Sequence, residues 1–354
     1  MKKQVSIKDV AREAGVSPAT VSYILNATPG LSFTPETRER VMSAAEKLHY
    51  VANQAAKTLG SSRIEGIVQS KLIGVVIPQT GNDSIESPIK FGHTFYGTFI
   101  SAVELEVRKA GYHLLISGTN PGQSYIDIVK SRTLDGVIIL GAYPLEDAEE
   151  YKKCKIPAVL VDCYGSEDNF FYSVRTDDRL GGYMATKYLI DKGHRNIAIV
   201  TGHVKEHGVN YERYQGYLKA LEEAGISPLK SNLFEGYVDY GFGAEAAKLI
   251  AKDRMNITAV FVAADITAVG LINGLHGMGI SVPDDISVIG FDDTEYAKMC
   301  FPELTTIRQN IMDKGREAAH LMIEAVRNRK LPHVERIIPI EVIERGTVKD
   351  LNAN

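Results

Sequence analysis

The sequence predicts two fold classes in one chain: a small all-α headpiece at the amino terminus, followed by a two-lobed α/β core with two doubly wound parallel sheets. The 354 residues are too many for one simple core. The first sixty residues show only helical periodicity, whereas from about Lys71 short apolar runs such as LIGVVIP alternate with amphipathic stretches such as FISAVELEVRKAGY. Roughly eleven such elements exceed what one sheet needs, which predicts two lobes.

The composition is that of a globular protein, with 44% hydrophobic and 24% charged residues. The sequence has no apolar run of about 18 residues, so it predicts no membrane span. The first residues, MKKQVSIKDV, lack the apolar stretch of a signal peptide, so we expect a cytoplasmic protein. Cys154, Cys163 and Cys300 lie far apart with no CxxC spacing, which argues against a disulfide framework and a zinc site.

The charge is distributed unevenly along the chain. Residues 1–63 carry a net charge of +4 and the remaining residues −8. A basic terminal module on an acidic body is typical of a nucleic-acid-binding arm attached to a soluble sensor. Chance clustering on a solvated surface would give the same numbers, so the charge alone does not decide.

Three short helices are predicted in the headpiece from their capping residues. Ser6 caps the first, which ends at Gly15, where a left-handed residue is needed. Ser17 caps the second, with Pro18 at its first position, and a third begins in the same way at Thr34 with a proline after it. The inward positions are Ile7, Val10, Ala11, Ala14, Val21, Ile24, Leu25, Val41, Ala44, Ala45 and Leu48.

Two short helices joined by a tight glycine-containing turn and braced by a third form a helix-turn-helix. The outward face of the second helix has no Arg or Lys and consists of Ala19, Thr20, Ser22, Tyr23 and Asn26. Small residues let a helix enter a major groove, and hydroxyls and amides bond to phosphates. The alternative is a three-helix bundle with no ligand.

The stretches SIKDVAREAGVSPATVSYILN and TRERVMSAAEKLHYVANQAAKTL resemble the headpiece of the lactose-repressor/galactose-repressor family of bacterial transcription regulators at nearly every position of 6–59. The resemblance implies that Pro18, Ala19 and Tyr23 set sequence preference in the major groove. Thr20, Ser22, Asn26, Tyr50 and Asn53 match positions that touch the DNA backbone, and Ser6, Ser17 and Lys57 are further candidates for DNA binding.

The stretch NQAAKTL resembles the hinge helix of that family, here at about residues 53–60. The resemblance implies that Leu59 wedges into the minor groove and kinks the operator. Leu59 could instead pack on the headpiece as an ordinary capping residue. Lys2, Lys3, Lys57 and Arg63 would add affinity through phosphates.

Three predicted strands of the core end in a carboxylate: Asp162, Asp265 and Asp292. Ligands of doubly wound folds bind beyond the carboxyl ends of strands, and carboxylates accept hydroxyl hydrogens, which suits sugars. Each carboxylate could instead cap a helix or form a loop salt bridge. Asp265 in particular precedes the predicted helix ITAVGLI and could cap it.

The stretches GHRNIAIVTG, ERYQGYLKAL, SVPDDISVIGFDD and PELTTIRQN resemble the periplasmic-binding-protein-like regulatory core of the same family. The resemblance implies that Arg213 grips an effector, that Asp292 and Asp162 accept its hydrogen bonds, and that Gln309 and Tyr96 line the other side. The chain departs from the family pattern at 264–265, where Ala-Asp replaces Asn-Asp, and in longer segments at 60–71 and 80–97.

These patterns divide the chain into a headpiece at 1–60, a linker at 61–71 and a core at 72–354. The N-lobe would contain residues 72–168 and 305–332, and the C-lobe residues 169–304 and 333–346. The chain would then cross between the lobes near 165–173, 302–306 and 331–333.

Two other functions compete with a regulator. GFGAEA, at 241–246, has the G-x-G-x-x-A spacing of a dinucleotide-binding dehydrogenase, with Asp265 placed for a ribose contact, but that function leaves the headpiece without a role. No G-x-S-x-G, P-loop or HExxH motif is present. The core alone would suit a solute-binding protein, although salt-dependent DNA binding would be unexpected for one.

The sequence therefore predicts a non-enzymatic DNA-binding transcription regulator without cofactor or metal. We expect a repressor of a carbohydrate-utilisation operon that acts as a homodimer on a pseudo-palindromic operator. A sugar or sugar phosphate between the lobes would be its effector, and a purine- or nucleoside-responsive corepressed regulator is the alternative.

Overall fold

A computed structural model of the chain describes residues 5–25, 31–48, 50, 70–77, 94–119, 125–141, 156–164, 171–204, 208–252, 256–328 and 333–353. The chain divides into two units, residues 1–70 and 71–354. The predicted hinge helix and nearly all of the linker lie outside the described residues, as do Asn26, Asn53, Lys57 and Leu59.

The headpiece contains α1 (Ile7–Ala14), α2 (Pro18–Leu25) and α3 (Pro35–Lys47). The predicted caps are present. Ser17 Oγ accepts the Thr20 amide at 3.1 Å, and Thr34 Oγ1 accepts the Thr37 amide at 3.3 Å. Gly15 ends α1 at φ 64°, a left-handed conformation that favours glycine.

The three headpiece helices pack around one small apolar core. Its buried members are Val10, Ala11, Ala14, Val21, Ile24, Val41 and Ala44. Because α2 contributes only Val21 and Ile24 to this set, its opposite side faces away from the core.

The larger unit contains two six-stranded sheets, as predicted. The strands of the first sheet are β1 (Leu72–Ile77), β2 (His113–Gly118), β3 (Gly136–Leu140), β4 (Ala158–Val161), β5 (Tyr172–Thr176) and β11 (Glu335–Ile338). They lie in the order β11-β5-β4-β3-β1-β2, and every pair is parallel. The helices of this lobe are α4 (Thr94–Lys109), α5 (Tyr125–Arg132) and α11 (Ile311–Asn328).

The second sheet repeats this arrangement. Its strands are β6 (Ile197–Gly202), β7 (Leu233–Gly236), β8 (Ala259–Val262), β9 (Ser287–Asp292), β10 (Thr305–Gln309) and β12 (Ile340–Ile343), in the order β12-β10-β9-β8-β6-β7. Only β12 runs antiparallel to its neighbour, β10. Its helices are α6 (Asp178–Asp191), α7 (Val209–Glu223), α8 (Tyr240–Lys252), α9 (Asp265–His276) and α10 (Glu295–Met299), with a 3₁₀ turn at Lys230–Asn232.

Strand pairing moves the three lobe crossings from their predicted positions. Strand β5 pairs with β4 and β11, so the first crossing follows β5, near Asp177, rather than lying at 165–173. Strand β10 pairs with β9 in the second sheet, so the second crossing is at Asn310, not at 302–306. The third lies at Pro339, between β11 and β12, rather than at 331–333.

The dinucleotide-like stretch at 241–246 has a packing role. It lies within α8 rather than in a strand-to-helix turn. A Cβ on Gly243 would lie 2.1 Å from the carbonyl oxygen of Thr267 in α9, so the glycine permits the close contact of the two helices.

The two cysteines that the structure describes, Cys163 and Cys300, are free thiols. None of the described helices has the length and apolar character needed to cross a membrane.

Candidate functional site

The headpiece presents the outward side of α2 to solvent. Pro18 and Ala19 are exposed at its start, Thr20 and Ser22 are half-buried, and the Tyr23 side chain is 43% exposed. No described residue of α2 is charged. The start of α2 therefore offers apolar, hydroxyl and aromatic groups on a rigid element, together with the amino-terminal end of a helix dipole.

Three further described residues predicted to bind DNA lie outside α2. Ser6 is exposed, and its backbone amide and hydroxyl both donate to the Asp9 carboxylate, at 2.9 and 2.6 Å. Ser17 is exposed and caps α2 by accepting the Thr20 amide. Tyr50 is half-buried and packs against the headpiece core. All three residues therefore have a part in the structure of the headpiece itself.

The second candidate site is a buried cluster where the two sheets of the core meet. Asp162 directly follows β4, and Asp292 ends β9, each the third strand in its sheet. Both have positive φ, 53° for Asp162 and 117° for Asp292. Such conformations cost about 1–3 kcal/mol each and are concentrated at functional sites. The two lobes thus contribute equivalent carboxylates from strained strand ends.

Lys314 joins these carboxylates, although the sequence did not single it out. Its ammonium donates to Asp162 Oδ1 at 2.7 Å, to Asp162 Oδ2 at 2.8 Å and to Gln309 Oε1 at 2.5 Å. The Gln309 amide in turn donates to Asp292 Oδ1. A continuous polar chain therefore runs from Asp162 through Lys314 and Gln309 to Asp292.

Arg213 lies on the other side of the cluster. Its Nε and Nη2 contact Asp178 Oδ1, each at 2.8 Å, and its Nη1 donates to the Ala263 carbonyl oxygen at 2.6 Å. The guanidinium also lies 3.6 Å above the Phe291 ring, and Nη1 is 3.9 Å from Asp292 Oδ1. Three of its five N–H groups are used in the hydrogen bonds, so the group retains donor capacity toward a ligand.

Two glycines allow Arg213 to reach Asp178. A Cβ on Gly182 of α6 would lie 2.0 Å from the Arg213 carbonyl oxygen, and one on Gly216 of α7 would lie 2.0 Å from the Arg179 carbonyl oxygen. Helices α6 and α7 therefore pack backbone to backbone beside the site. Asp178 Oδ2 also accepts the hydroxyl of Tyr164, which follows β4, so this contact connects the two lobes.

Burial dominates the electrostatics of the cluster. It raises the pKa of Asp292 to about 6, while the Arg213 charge and the Gln309 hydrogen bond oppose the rise. Burial also raises the pKa of Asp162, against the adjacent Lys314 ammonium. Burial would lower the pKa of Arg213, but the neighbouring Asp178 and Asp292 charges raise it. Salt-bridged carboxylates in a buried site are strong acceptors for a ligand that donates hydrogen bonds.

Asp265, predicted to face a ligand together with Asp162 and Asp292, bonds to two threonines of its own lobe. Its fully buried carboxylate accepts the Thr294 amide at 2.7 Å and the Thr306 hydroxyl at 2.7 Å. Burial is the main reason that its pKa is raised well above the ordinary value, followed by the Asp292 charge. Asp265 therefore holds the loop that follows β9 against strand β10. It is not a partner of Arg213, whose carboxylate contacts are with Asp178 and Asp292.

Tyr96, predicted to line the site, is half-buried and packs against the first-lobe core. Its neighbour Phe95 is the ring near Lys314, with the ammonium 5.7 Å from its centroid. The sequence did contain a signal for Lys314 and Asp178, because each occupies the apolar face of its helix. Lys314 shares that face with Ile311, Gly315 and Ala318, and Asp178 with Gly181, Gly182 and Ala185.

Comparisons with known proteins agree with this architecture. Residues 6–53 match the model of bacterial regulatory proteins of the lacI family, and residues 186–348 match the periplasmic binding protein-like domain. The HTH-type transcriptional repressor PurR of Vibrio campbellii is 33% identical, over 98% of this chain and 99% of its own length. Catabolite control protein A of Priestia megaterium is 33% identical, over 90% and 91%.

Among solved structures, the complex of the transcriptional regulator CelR with cellobiose superimposes with a TM-score of 0.69 at 25% identity, over 97% of this chain and 100% of that one. A relative that is one-third identical over nearly the whole chain shows the family. The protein belongs to the lacI family of bacterial regulatory proteins and is a DNA-binding transcriptional repressor, not an enzyme.

Proposed function

We propose that the repressor reads its operator with the exposed side of α2. We also propose that an uncharged carbohydrate controls its DNA affinity by binding at the buried cluster of Asp162, Asp178, Asp292 and Arg213. The observation that supports the first part is the cation-free, solvent-exposed start of α2. A helix with no Arg or Lys cannot make the bidentate contact to guanine, so its specificity has to come from other groups.

In this proposal Pro18 and Ala19 pack against thymine methyl groups and Tyr23 contacts a base edge. Phosphate contacts come from the helix amino terminus and the hydroxyls of Ser17, Thr20 and Ser22, and they hold the helix in register. Asn26, Asn53, Lys57 and the minor-groove residue Leu59 complete the surface by resemblance to the family.

The protein would act as a homodimer. Two headpieces related by a twofold axis require two mirrored half-sites, so the operator would be a pseudo-palindrome. The dimer and its operator symmetry rest on the family resemblance.

Tyr23→Ala tests the reading of the operator. Loss of one base contact costs about 1–3 kcal/mol, so we expect about a 5- to 150-fold loss of affinity for the selected operator and less than about a 2-fold loss for random duplex. Fluorescence anisotropy with both duplexes at matched salt measures this. Met42→Ala, which removes a side chain 54% exposed on α3, is the control. Equal losses on operator and random DNA would refute the role of Tyr23.

The chemistry of the cluster favours a ligand that donates many hydrogen bonds. Asp162, Asp178 and Asp292 provide carboxylate oxygens within one buried region, and Arg213 adds donors. Carbohydrate hydroxyls donate to carboxylates and accept from a guanidinium, so they fit both. CelR, whose fold is similar, was solved as a cellobiose complex.

The charges of the described cluster favour an uncharged carbohydrate over a phosphorylated one. Its three carboxylates outnumber Arg213 and Lys314, and each cation already contacts a carboxylate. A phosphate group would therefore enter a region of like charge. A purine is the second candidate, because PurR repressors are among the 33%-identical relatives.

A thermal-shift panel with the full-length protein tests the effector class. We expect at least one neutral mono- or disaccharide to raise Tm, since a ligand at about 100 times its Kd stabilises by about 2.7 kcal/mol. The corresponding sugar phosphates and hypoxanthine should have smaller effects. Arg213→Met should abolish the shift and leave operator binding intact. If hypoxanthine alone raises Tm, the effector is a purine and not a carbohydrate. If Arg213→Met retains the rise in Tm, Arg213 does not bind the effector.

A further inference from the structure

Lys314 is a fully buried cation within the cluster that holds the candidate effector residues. Its side chain is 0% exposed. An ammonium has three hydrogens, and the Asp162 oxygens and Gln309 Oε1 accept all three at 2.5–2.8 Å. Lys314 therefore keeps no donor for a ligand, and its role has to come from what it holds in place.

The groups that Lys314 contacts belong to different lobes. Helix α11, which carries it, packs in the first lobe, where a Cβ on Gly315 would lie 2.8 Å from the Phe99 carbonyl oxygen of α4. Asp162 follows a strand of the first sheet, whereas Gln309 ends β10 of the second sheet and donates to Asp292 at the end of β9. Lys314 is thus the cation through which the two equivalent strand-end carboxylates are connected.

We propose that Lys314 is a positioning residue that fixes the separation of the two lobes in the ligand-free protein by bridging Asp162 to Asp292 through Gln309. In consequence, effector binding modifies a separation that is already set, instead of closing an open cleft. This role is independent of which ligand the site takes.

Removal of the Lys314 ammonium leaves an unpaired carboxylate in the cluster. Asp162 would keep its buried position, but it would lose the cation that contacts both of its oxygens. A buried carboxylate without a cation is strongly unfavourable, and here Asp178 adds a like charge in the same cluster. Separation of the lobes relieves this unfavourable burial, because it admits water to the Asp162 carboxylate.

A distance measurement across the lobes tests the proposal. Cysteines replace Arg108 on α4 and Lys219 on α7, whose side chains are 65% and 60% exposed, in a full-length chain in which Cys154, Cys163 and Cys300 are changed to Ala. The spin-labelled chain is diluted with unlabelled chain, and double electron–electron resonance is recorded without DNA or ligand.

We expect Lys314→Met to shift the distance distribution to values longer than the whole wild-type distribution. Lys187→Met is the matched control, since Lys187 is an exposed lysine whose ion pair is with Asp191 on the same helix, and it should change nothing.

Wild-type distances in a folded Lys314→Met protein would overturn the proposal. If Lys314→Met fails to fold, Gln309→Leu decides, because it breaks the bridge on the second-lobe side and leaves the Lys314–Asp162 ion pair in place. Longer distances in Gln309→Leu support the bridge, and unchanged distances overturn it. Because no DNA or effector is present, these outcomes do not depend on the proposed function.

Discussion

Neutralising Asp178 should destabilise the core strongly although the change replaces one oxygen by a nitrogen. In Asp178→Asn, Arg213 keeps its buried position and loses the carboxylate that contacts both Nε and Nη2 at 2.8 Å. The Tyr164 hydroxyl loses its charged acceptor at the same time. The substitution therefore leaves a buried cation whose nearest remaining carboxylate, Asp292, is 3.9 Å from Nη1.

Removing one partner of a buried ion pair costs about 3–5 kcal/mol. We expect about 3 kcal/mol for Asp178→Asn, at the low end, because the amide oxygen remains an acceptor and Asp292 partly compensates the charge. With a urea m-value of about 3 kcal/mol/M for a core of this size, the unfolding midpoint should fall by about 1 M.

Urea titration of the full-length protein, followed by far-UV circular dichroism, measures this midpoint. Asp191→Asn is the matched control, since Asp191 lies on the same helix, is 59% exposed and pairs with Lys187. We expect the control to stay within about 0.5 kcal/mol of wild type, as for other exposed pairs. A midpoint shift for Asp178→Asn no larger than that of Asp191→Asn would show that the Arg213–Asp178 pair does not stabilise the fold.

Two further predictions concern packing and pH. Gly216→Ala places a Cβ 2.0 Å from the Arg179 carbonyl oxygen, so α6 and α7 must separate, and overpacking should cost about 1–3 kcal/mol. Gly208→Ala, where the Cβ meets nothing within 4 Å, should leave Tm unchanged, and equal Tm values for the two variants would contradict this. Burial lowers the pKa of His194 below its ordinary 6.5, so the unfolded chain takes up the proton first and stability falls as pH drops below that value. His194→Asn should make the urea unfolding midpoint less dependent on pH between about pH 5 and 7. An unchanged pH dependence would show that His194 does not cause the loss of stability.

Local capping chemistry explains why the headpiece could be predicted in detail. The Ser17 and Thr34 caps are contacts to residues three positions further along the chain, and Gly15 needs only its own backbone conformation. Each signal is therefore complete within one short stretch of sequence. The apolar positions of the three helices follow for the same reason, because a helix repeats its faces every 3.6 residues.

The lobe crossings could not be placed in this way, because the pairing of strands is non-local. The runs that form β5, β10 and β11 show that strands exist, but nothing within them states which sheet each strand joins. The three predicted crossings were accordingly wrong by one element. The two-sheet architecture itself was predictable, since it depends only on the number and alternation of elements.

The cluster was predicted in part for a related reason. Asp162 and Asp292 could be found because they follow apolar runs, and Arg213 and Gln309 through the resemblance to the family. Lys314 was missed although it lies on the apolar face of its helix, because its partner Asp162 is 152 positions away in the chain. Asp265 showed the same strand-end pattern as the others, but its acceptors are occupied by Thr294 and Thr306, which are also distant in the sequence.

We propose that the headpiece of this repressor recognises a symmetric operator sequence through α2. Selection of bound duplexes from a random library by the full-length protein tests this directly. We expect an enriched motif with two inverted half-sites, whose binding weakens steeply with salt and whose sequence preference relaxes in Tyr23→Ala. Enriched duplexes that share no motif, or that share one without inverted symmetry that Tyr23→Ala leaves unchanged, would show that α2 does not read a symmetric operator.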